Sequence, residues 1–294
     1  MTSNTKLPTS TDDFLILYES AKDPFTKKDI HPSFSKKRYE PPLELLPHIE
    51  RKIEELKEQC KRNNLVFFDD RIARLDDWKV ENHNLYLDFS ETTYFHFAAM
   101  NLQVNEKFNH QGTKKRLKDI LGENIQDLRQ SRLPNAFGVN ISIILKKESK
   151  IALVRRSNKS FESSAVLSSA VAGTVSIGQG DLDAFGNPDP LKAASREALE
   201  ELGISIDMDR IAIHGIGRNK LNFKPEIYGE FEVDMTEGQL RTSWQRATDR
   251  WESPDLLFLD LNHQELEPLL KNENWNPISK VSTLASLNAR DSIN

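Results

Sequence analysis

Over residues 43–64 the apolar side chains Leu46, Ile49, Ile53, Leu56 and Cys60 recur with charged residues between them. Positions three and four apart share one face of an α-helix, so this spacing predicts an amphipathic helix. The runs at 65–68, 72–78 and 85–89 are short, apolar or alternating, and bounded by Asn and Asp, as strands of a small sheet are. Residues 91–128 read as mostly helical, and Ser131-Arg132-Leu133-Pro134-Asn135 as a joint. Beyond the joint, VNISIIL at 139–145 and IALV at 151–154 flank the polar turn KKESK, which is a hairpin signature. A small-residue run at 168–173 and a Gly- and Asp-bearing loop at 178–189 lead into a helix predicted at 190–202. Asp189 suits its N-cap, Pro190 its first position, and Gly203 the left-handed residue that closes it. Strand-like runs return at 211–216, 227–233 and 256–259. Residues 1–40 carry many Ser, Thr, Lys, Asp and Pro without a sustained period, which predicts a flexible or loosely docked arm.

Composition narrows the class. The chain has 294 residues, 37% hydrophobic and 29% charged, enough apolar material for an ordinary core, and disorder along the whole length is excluded. The length suggests two domains, or one large domain with an extension. Its formal charge of −5 argues against a main task of neutralising nucleic-acid phosphates. Lys114-Lys115-Arg116 and Lys146-Lys147 accordingly read as solvated faces. No apolar run reaches roughly 18 residues and the first residues lack a secretory pattern, so neither a membrane span nor secretion is expected. Cys60 is the only cysteine, which excludes an intrachain disulfide and a CxxC site. A reducing, cytoplasmic compartment is the expectation.

Candidate chemistry concentrates in Arg196-Glu197-Ala198-Leu199-Glu200-Glu201-Leu202-Gly203-Ile204. On a helix, Glu197, Glu200 and Glu201 converge on one side while Leu191, Ala194, Ala198 and Leu202 form the opposite, core-facing side. Three crowded carboxylates repel one another, and hard oxygen ligands of this kind suit Mg²⁺ or Mn²⁺. Arg196, next to Glu197 and four residues before Glu200, can hold one carboxylate by a forked pair. The bland alternative is a solvated acidic face. A fully specified string of this kind arises by chance in such a chain with probability on the order of 10⁻³ to 10⁻⁴.

The string resembles the second half of the Nudix box, G-x5-E-x7-R-E-U-x-E-E-x-G-U, with Ala198 and Ile204 at apolar U positions. The first half departs from the pattern. Counting back from Arg196 places Leu182 and Pro188 at the expected Gly and Glu. Starting instead at Gly173 places Gln179 at the Glu position and leaves an insertion before Arg196, which costs little entropically. Further short runs, Phe67 to Leu75, Leu85-Tyr86-Leu87, Thr92-Thr93-Tyr94, Gly138-Val139, Leu153 to Ser157, Gly215 to Asn219 and Glu226, are similar to the UDP-glucose and UDP-galactose diphosphatases of that superfamily. The resemblance implies an α+β chain: a small α+β N-terminal domain at 41–132, a Nudix α/β/α sandwich with a mixed sheet at 133–280, and a C-terminal tail at 281–294. It implies a Mg²⁺-dependent enzyme, with Mn²⁺ as a substitute, acting on a small nucleotide and touching neither nucleic acid nor membrane. Glu200 and Glu201 become metal ligands, Glu197 a ligand or general base, Gly173 a backbone-carbonyl ligand, and Glu226 a further acidic group near the metal. Glu197, Glu200 and Arg196 form the catalytic set.

Arg155, Arg156 and Arg218 are candidates to grip phosphates and Asn219 to bond a sugar or base, with surface charge after a strand as the other reading. Phe67, Tyr94 and Phe223, the four tryptophans, and His96 and His214 read as packing and structural residues. ADP-ribose, a dinucleotide, coenzyme A or a noncanonical NTP are alternative substrates. A nucleotide sensor with a weakened box is an alternative class.

Overall fold

The computed structural model describes residues 11–20, 22–62, 69–110, 112–157 and 166–291; the strand expected at 65–68 lies outside them. The first part of the chain forms β1 (Phe14–Glu19), β2 (Ile30–Arg38), α1 (Leu46–Arg62), β3 (Arg71–Glu81), β4 (Asn84–Thr93), α2 (Tyr94–Met100), β5 (Lys107–His110), β6 (Thr113–Arg116) and α3 (Leu117–Leu121). The remainder forms β7 (Gly138–Leu145), β8 (Lys150–Arg155), β9 (Leu167–Ser169), β10 (Val171–Thr174), α4 (Pro190–Leu202), β11 (Ala212–Asn219), β12 (Pro225–Val233), α5 (Glu237–Trp244), β13 (Asp255–Asp260), α6 (His263–Asn272) and α7 (Pro277–Asp291). The fold class is mixed α+β, as expected.

Every residue of β7 is buried, so this strand is covered on both faces. Val139, Ile141, Ile143 and Leu145 join the core that includes Leu191, Ala194, Ala198 and Leu202 of α4. The alternate residues meet α7: Asn140 Nδ2 donates to Ser279 Oγ at 2.9 Å, and the Ser142 and Ser282 hydroxyls lie 2.9 Å apart. The surrounding sheet has eight strands in the order β1-β11-β12-β7-β8-β13, with β10 added beside β7 and β9 beside β8. β12 and β7 run parallel. A second, three-stranded sheet follows the order β2-β4-β3. β3 is stitched to the large sheet's rim: Ala73 N donates to Val175 O and Phe137 N to Ala73 O, each at 2.9 Å.

Three expectations are corrected. The arm at 1–40 supplies a strand to each of the two larger sheets, with Phe14 opposite Asn219 and Ile30 opposite Leu85. Such pairing between distant segments leaves no local period. Among the described residues of 91–128, α2 and α3 are the α-helices, because Gly112, at φ 76°, turns the chain so that β5 and β6 pair as a hairpin. The tail at 281–294 is mostly α7, which buries Val281, Leu284 and Leu287. No helix among the described residues is long and apolar enough to cross a membrane.

Candidate functional site

α4 begins and ends as its sequence predicts. Asp189 Oδ1 accepts from Leu191 N at 2.9 Å and Lys192 N at 3.3 Å, and Gly203 closes the helix at φ 67°. Its apolar side is buried, which turns Arg196, Glu197, Glu200 and Glu201 toward β10 and the preceding loop.

Arg196 organises this cluster. Its Nη1 donates to Glu197 Oε1 at 2.9 Å and Glu200 Oε2 at 2.7 Å. The other edge of the guanidinium meets a third carboxylate, Asp181, with Nε 3.1 Å from Oδ1 and Nη2 2.9 Å from Oδ2. Nη2 also donates to Thr174 O at 3.1 Å. Burial alone would lower the Arg196 pKa, but the Asp181 hydrogen bonds and the Glu197 charge hold it above its ordinary value. Asp181 was not anticipated. The signal for it was indirect: Arg has five donors, and the two glutamates occupy a single nitrogen.

Glu197 and Glu201 rest on β10. A Cβ on Gly173 would lie 1.8 Å from Glu197 Oε1, so only glycine leaves this carboxylate its place. Glu201 Oε2 accepts from Ala172 N at 3.0 Å. Burial, and then the charge of Glu200, push Glu197 up to about 7. Burial, and then Glu197, push Glu201 well above the usual carboxylate range. Arg156 draws Glu201 partly back, whereas Glu252 pushes both upward. Arg156 Nη2 donates to Glu252 Oε2 at 3.0 Å. Glu252 ends the 3-10 turn Arg250–Glu252, anchored to α4 where Asp249 N donates to Glu200 O at 2.9 Å. Pattern reading missed Glu252 because it lies some fifty residues from the motif it faces.

The loop before α4 is braced. Asp183 Oδ1 accepts from both Phe185 N and Asn187 N at 2.8 Å, and Asp189 N donates to Asp181 O at 2.8 Å. Gln179, expected at a box Glu position, is exposed, and its backbone N donates to Ser176 Oγ at 2.8 Å.

The structure therefore gathers Gly173, Arg196, Glu197, Glu200 and Glu201, with Arg156 at the edge. The other candidates lie elsewhere. Arg155 donates to Glu273 at 3.2 Å, just beyond α6. Arg218 is fully buried and cannot grip a phosphate: it donates to Phe223 O at 3.0 Å, Ile125 O at 3.1 Å and Asn135 Oδ1 at 2.9 Å. Burial lowers its pKa to about 10. Asn219 is spent on the β11–β12 turn, where its Oδ1 accepts from Leu221 N at 2.8 Å. Glu226 sits one residue before Ile227, which pairs with Val139 on the α4 face, so alternation turns it to the opposite face. There Lys224 Nζ stands 3.7 Å from its Oε1. Phe223 is buried under Arg218, Tyr94 packs on Phe97, and Phe67 lies outside the described residues. His214 is buried 3.4 Å from Glu230, and His96 lies 3.3 Å from Thr93 Oγ1.

Among the described residues no three His, Cys, Asp or Glu side chains are drawn together as a cation cage. Arg196 instead holds Glu197 and Glu200 on its Nη1. Burial holds the neighbouring Glu197 and Glu201 above the usual carboxylate range against the pull of Arg196 and Arg156, and oxygen donors of this kind suit a hard divalent ion. No family model matches the chain. No curated protein matches it. Among solved structures, DR0079 from Deinococcus radiodurans is similar at 15% identity and a TM-score of 0.33, over 51% of this chain and 80% of that one.

Proposed function

We propose that this chain is a Mg²⁺-dependent Nudix hydrolase cleaving the diphosphate of a nucleotide sugar, UDP-glucose or UDP-galactose, to UMP and a sugar 1-phosphate. The mixed sheet between α4 and α7 is then the Nudix α/β/α sandwich. The observation that carries this reading is the cluster itself, in which one guanidinium aligns Glu197 and Glu200 while Glu197 crosses a glycine and Glu201 rests on the adjacent backbone N–H. A merely solvated acidic face needs none of these contacts. The substrate class rests on the motif resemblance.

Glu197, Glu200 and Glu201, with the Gly173 carbonyl, would hold the cation, and Mn²⁺ can replace Mg²⁺ in such an oxygen set. When bound, Mg²⁺ neutralises diphosphate oxygens and lowers the pKa of a coordinated water. Arg196 fixes the carboxylate positions. In place of a ligand role, Glu197 can act as the general base that takes a proton from a water, a contribution of about 10²- to 10⁴-fold. Arg156, beside Glu201, supplies positive charge for a phosphate.

The test is Mg²⁺-dependent product release from a panel of nucleotide sugars, ADP-ribose, NADH, dinucleoside polyphosphates and NTPs, read by mass spectrometry. UMP from UDP-glucose or UDP-galactose, lost in Glu200→Gln with an unchanged melting curve, is the expected result. Products from other panel members alone would move the substrate class. Tight binding without products would overturn hydrolysis.

A further inference from the structure

We infer that the three-stranded N-terminal unit sets the register of the carboxylate cluster through Asp70, a positioning residue that acts by way of Ser176, Asp181 and Arg196. The inference takes its metal from the proposed hydrolase reading and its geometry from this chain alone.

Asp70 lies immediately before β3, where its backbone oxygen accepts from Tyr94 N at 3.0 Å and the neighbouring Asp69 Oδ1 accepts from Phe95 N at 2.9 Å. It is therefore fixed to the start of α2. Its Oδ2 accepts from Ser176 Oγ at 2.5 Å. Ser176 faces both ways: its hydroxyl meets Asp70, and its backbone N donates to Asp181 Oδ2 at 2.8 Å. Asp181 in turn accepts from Arg196 at 2.9 Å, and Arg196 holds Glu197 and Glu200.

Two independent contacts fix the same approach. Ile177 N and Gly178 N both donate to Arg71 O, at 2.8 and 2.9 Å. A Cβ on Gly178 would lie 2.0 Å from Asp70 Oδ1, so the loop comes closer to this carboxylate than any other residue allows. The physical need is plain. Residues 175–189 connect β10 to α4 and carry Asp181, which backbone bonds tie to Ser176 O at 2.9 Å and Asp189 N at 2.8 Å, so the position of Ser176 sets where Asp181 stands and needs an anchor of its own. The N-terminal unit supplies that anchor.

The test uses the full chain with Asp70→Ala, Asp70→Asn, Asp181→Asn and the Asp70→Ala/Asp181→Asn pair. Mn²⁺ affinity is read by electron paramagnetic resonance, exchange of the Arg196 Nε–H by NMR, and kcat and KM on the productive substrate. Asp70→Ala should weaken Mn²⁺ binding about tenfold, speed Arg196 Nε–H exchange, and lower kcat more than it raises KM. Asp70→Asn keeps an acceptor oxygen and should stay within about twofold of the parent. Asp70→Ala should add nothing to Asp181→Asn. If Asp70→Ala does not fold, Ser176→Ala removes the same hydrogen bond, along with the one its hydroxyl accepts from Gln179 N, and parental Mn²⁺ affinity and Arg196 exchange in it overturn the inference in the same way. Parental Mn²⁺ affinity and Arg196 exchange in the alanine variant, or full additivity with Asp181→Asn, would overturn the inference. Should the parent bind no Mn²⁺ and cleave nothing, the hydrolase reading fails, and Arg196 exchange alone decides the register.

Discussion

A carboxyl group whose folded-state pKa lies above its unfolded value holds, within that interval, a proton the unfolded chain has released. Glu197 and Glu201 are both raised, so their contribution is full below the ordinary 4.5 and is lost as pH climbs through the folded value, about 7 for Glu197. Metal-free protein should therefore lose stability from this pair between about pH 5 and 8. Glu201→Gln still accepts from Ala172 N, and thermal melts should show a shallower slope over that range; an identical slope would contradict the assignment. Mg²⁺ should flatten the parental slope too, because it favours the ionised pair. Arg218 behaves oppositely to a surface arginine. Its truncation leaves buried carbonyls and the Asn135 side chain without a donor, and Arg218→Ala should cost about 3 kcal/mol or more in urea unfolding. Arg155→Ala, on a half-exposed ion pair, should change stability by less than about 1 kcal/mol.

At the scale of the element, α4 depends on two kinds of end. Asp189→Ala removes the N-cap and should cost about 1 kcal/mol, measured by urea unfolding, while Asp189→Asn retains the acceptor. The helix flank depends on a gap in β10. Gly173→Ala forces Glu197 off the strand, so Mn²⁺ binding should fall by tenfold or more with little change in melting, since an altered second contact typically costs about 10- to 100-fold. Metal affinity equal to the parent's would show that Glu197 has another place to sit. The boundaries of α4 were legible because caps are local chemistry. The β5–β6 hairpin was not, because Lys107–His110 and Thr113–Arg116 carry no clear period and only the turn at Gly112 pairs them.

At the scale of the molecule, both faces of the large sheet need their helices. α7 covers the face opposite α4 with Ile278, Val281 and Ala285 against Phe14 and Tyr228, and with Leu284 and Leu287 against Ile144 and Leu153. A chain ending at residue 276 exposes that face and should be insoluble or unfolded by circular dichroism; a cooperative melt would contradict this. The missed helix is instructive. Its Ser279, Ser282, Thr283 and Ser286 are all buried, and these small side chains let the helix approach the sheet closely.

The pattern along the chain by itself determined the amphipathic helix α1, the β7–β8 hairpin, the caps of α4 and the convergence of Arg196, Glu197, Glu200 and Glu201, because each depends on residues within a few positions of one another. Tertiary structure alone decided that Glu226 and Arg218 are excluded from the cluster and that Asp181, Glu252 and Asp70 stand around it. Strand alternation is readable from a sequence, but the face a given side chain shares with a distant helix depends on register between strands brought together only by folding. The same holds for the arm at 1–40, whose strands became visible once their partners at 84–93 and 212–219 were in place.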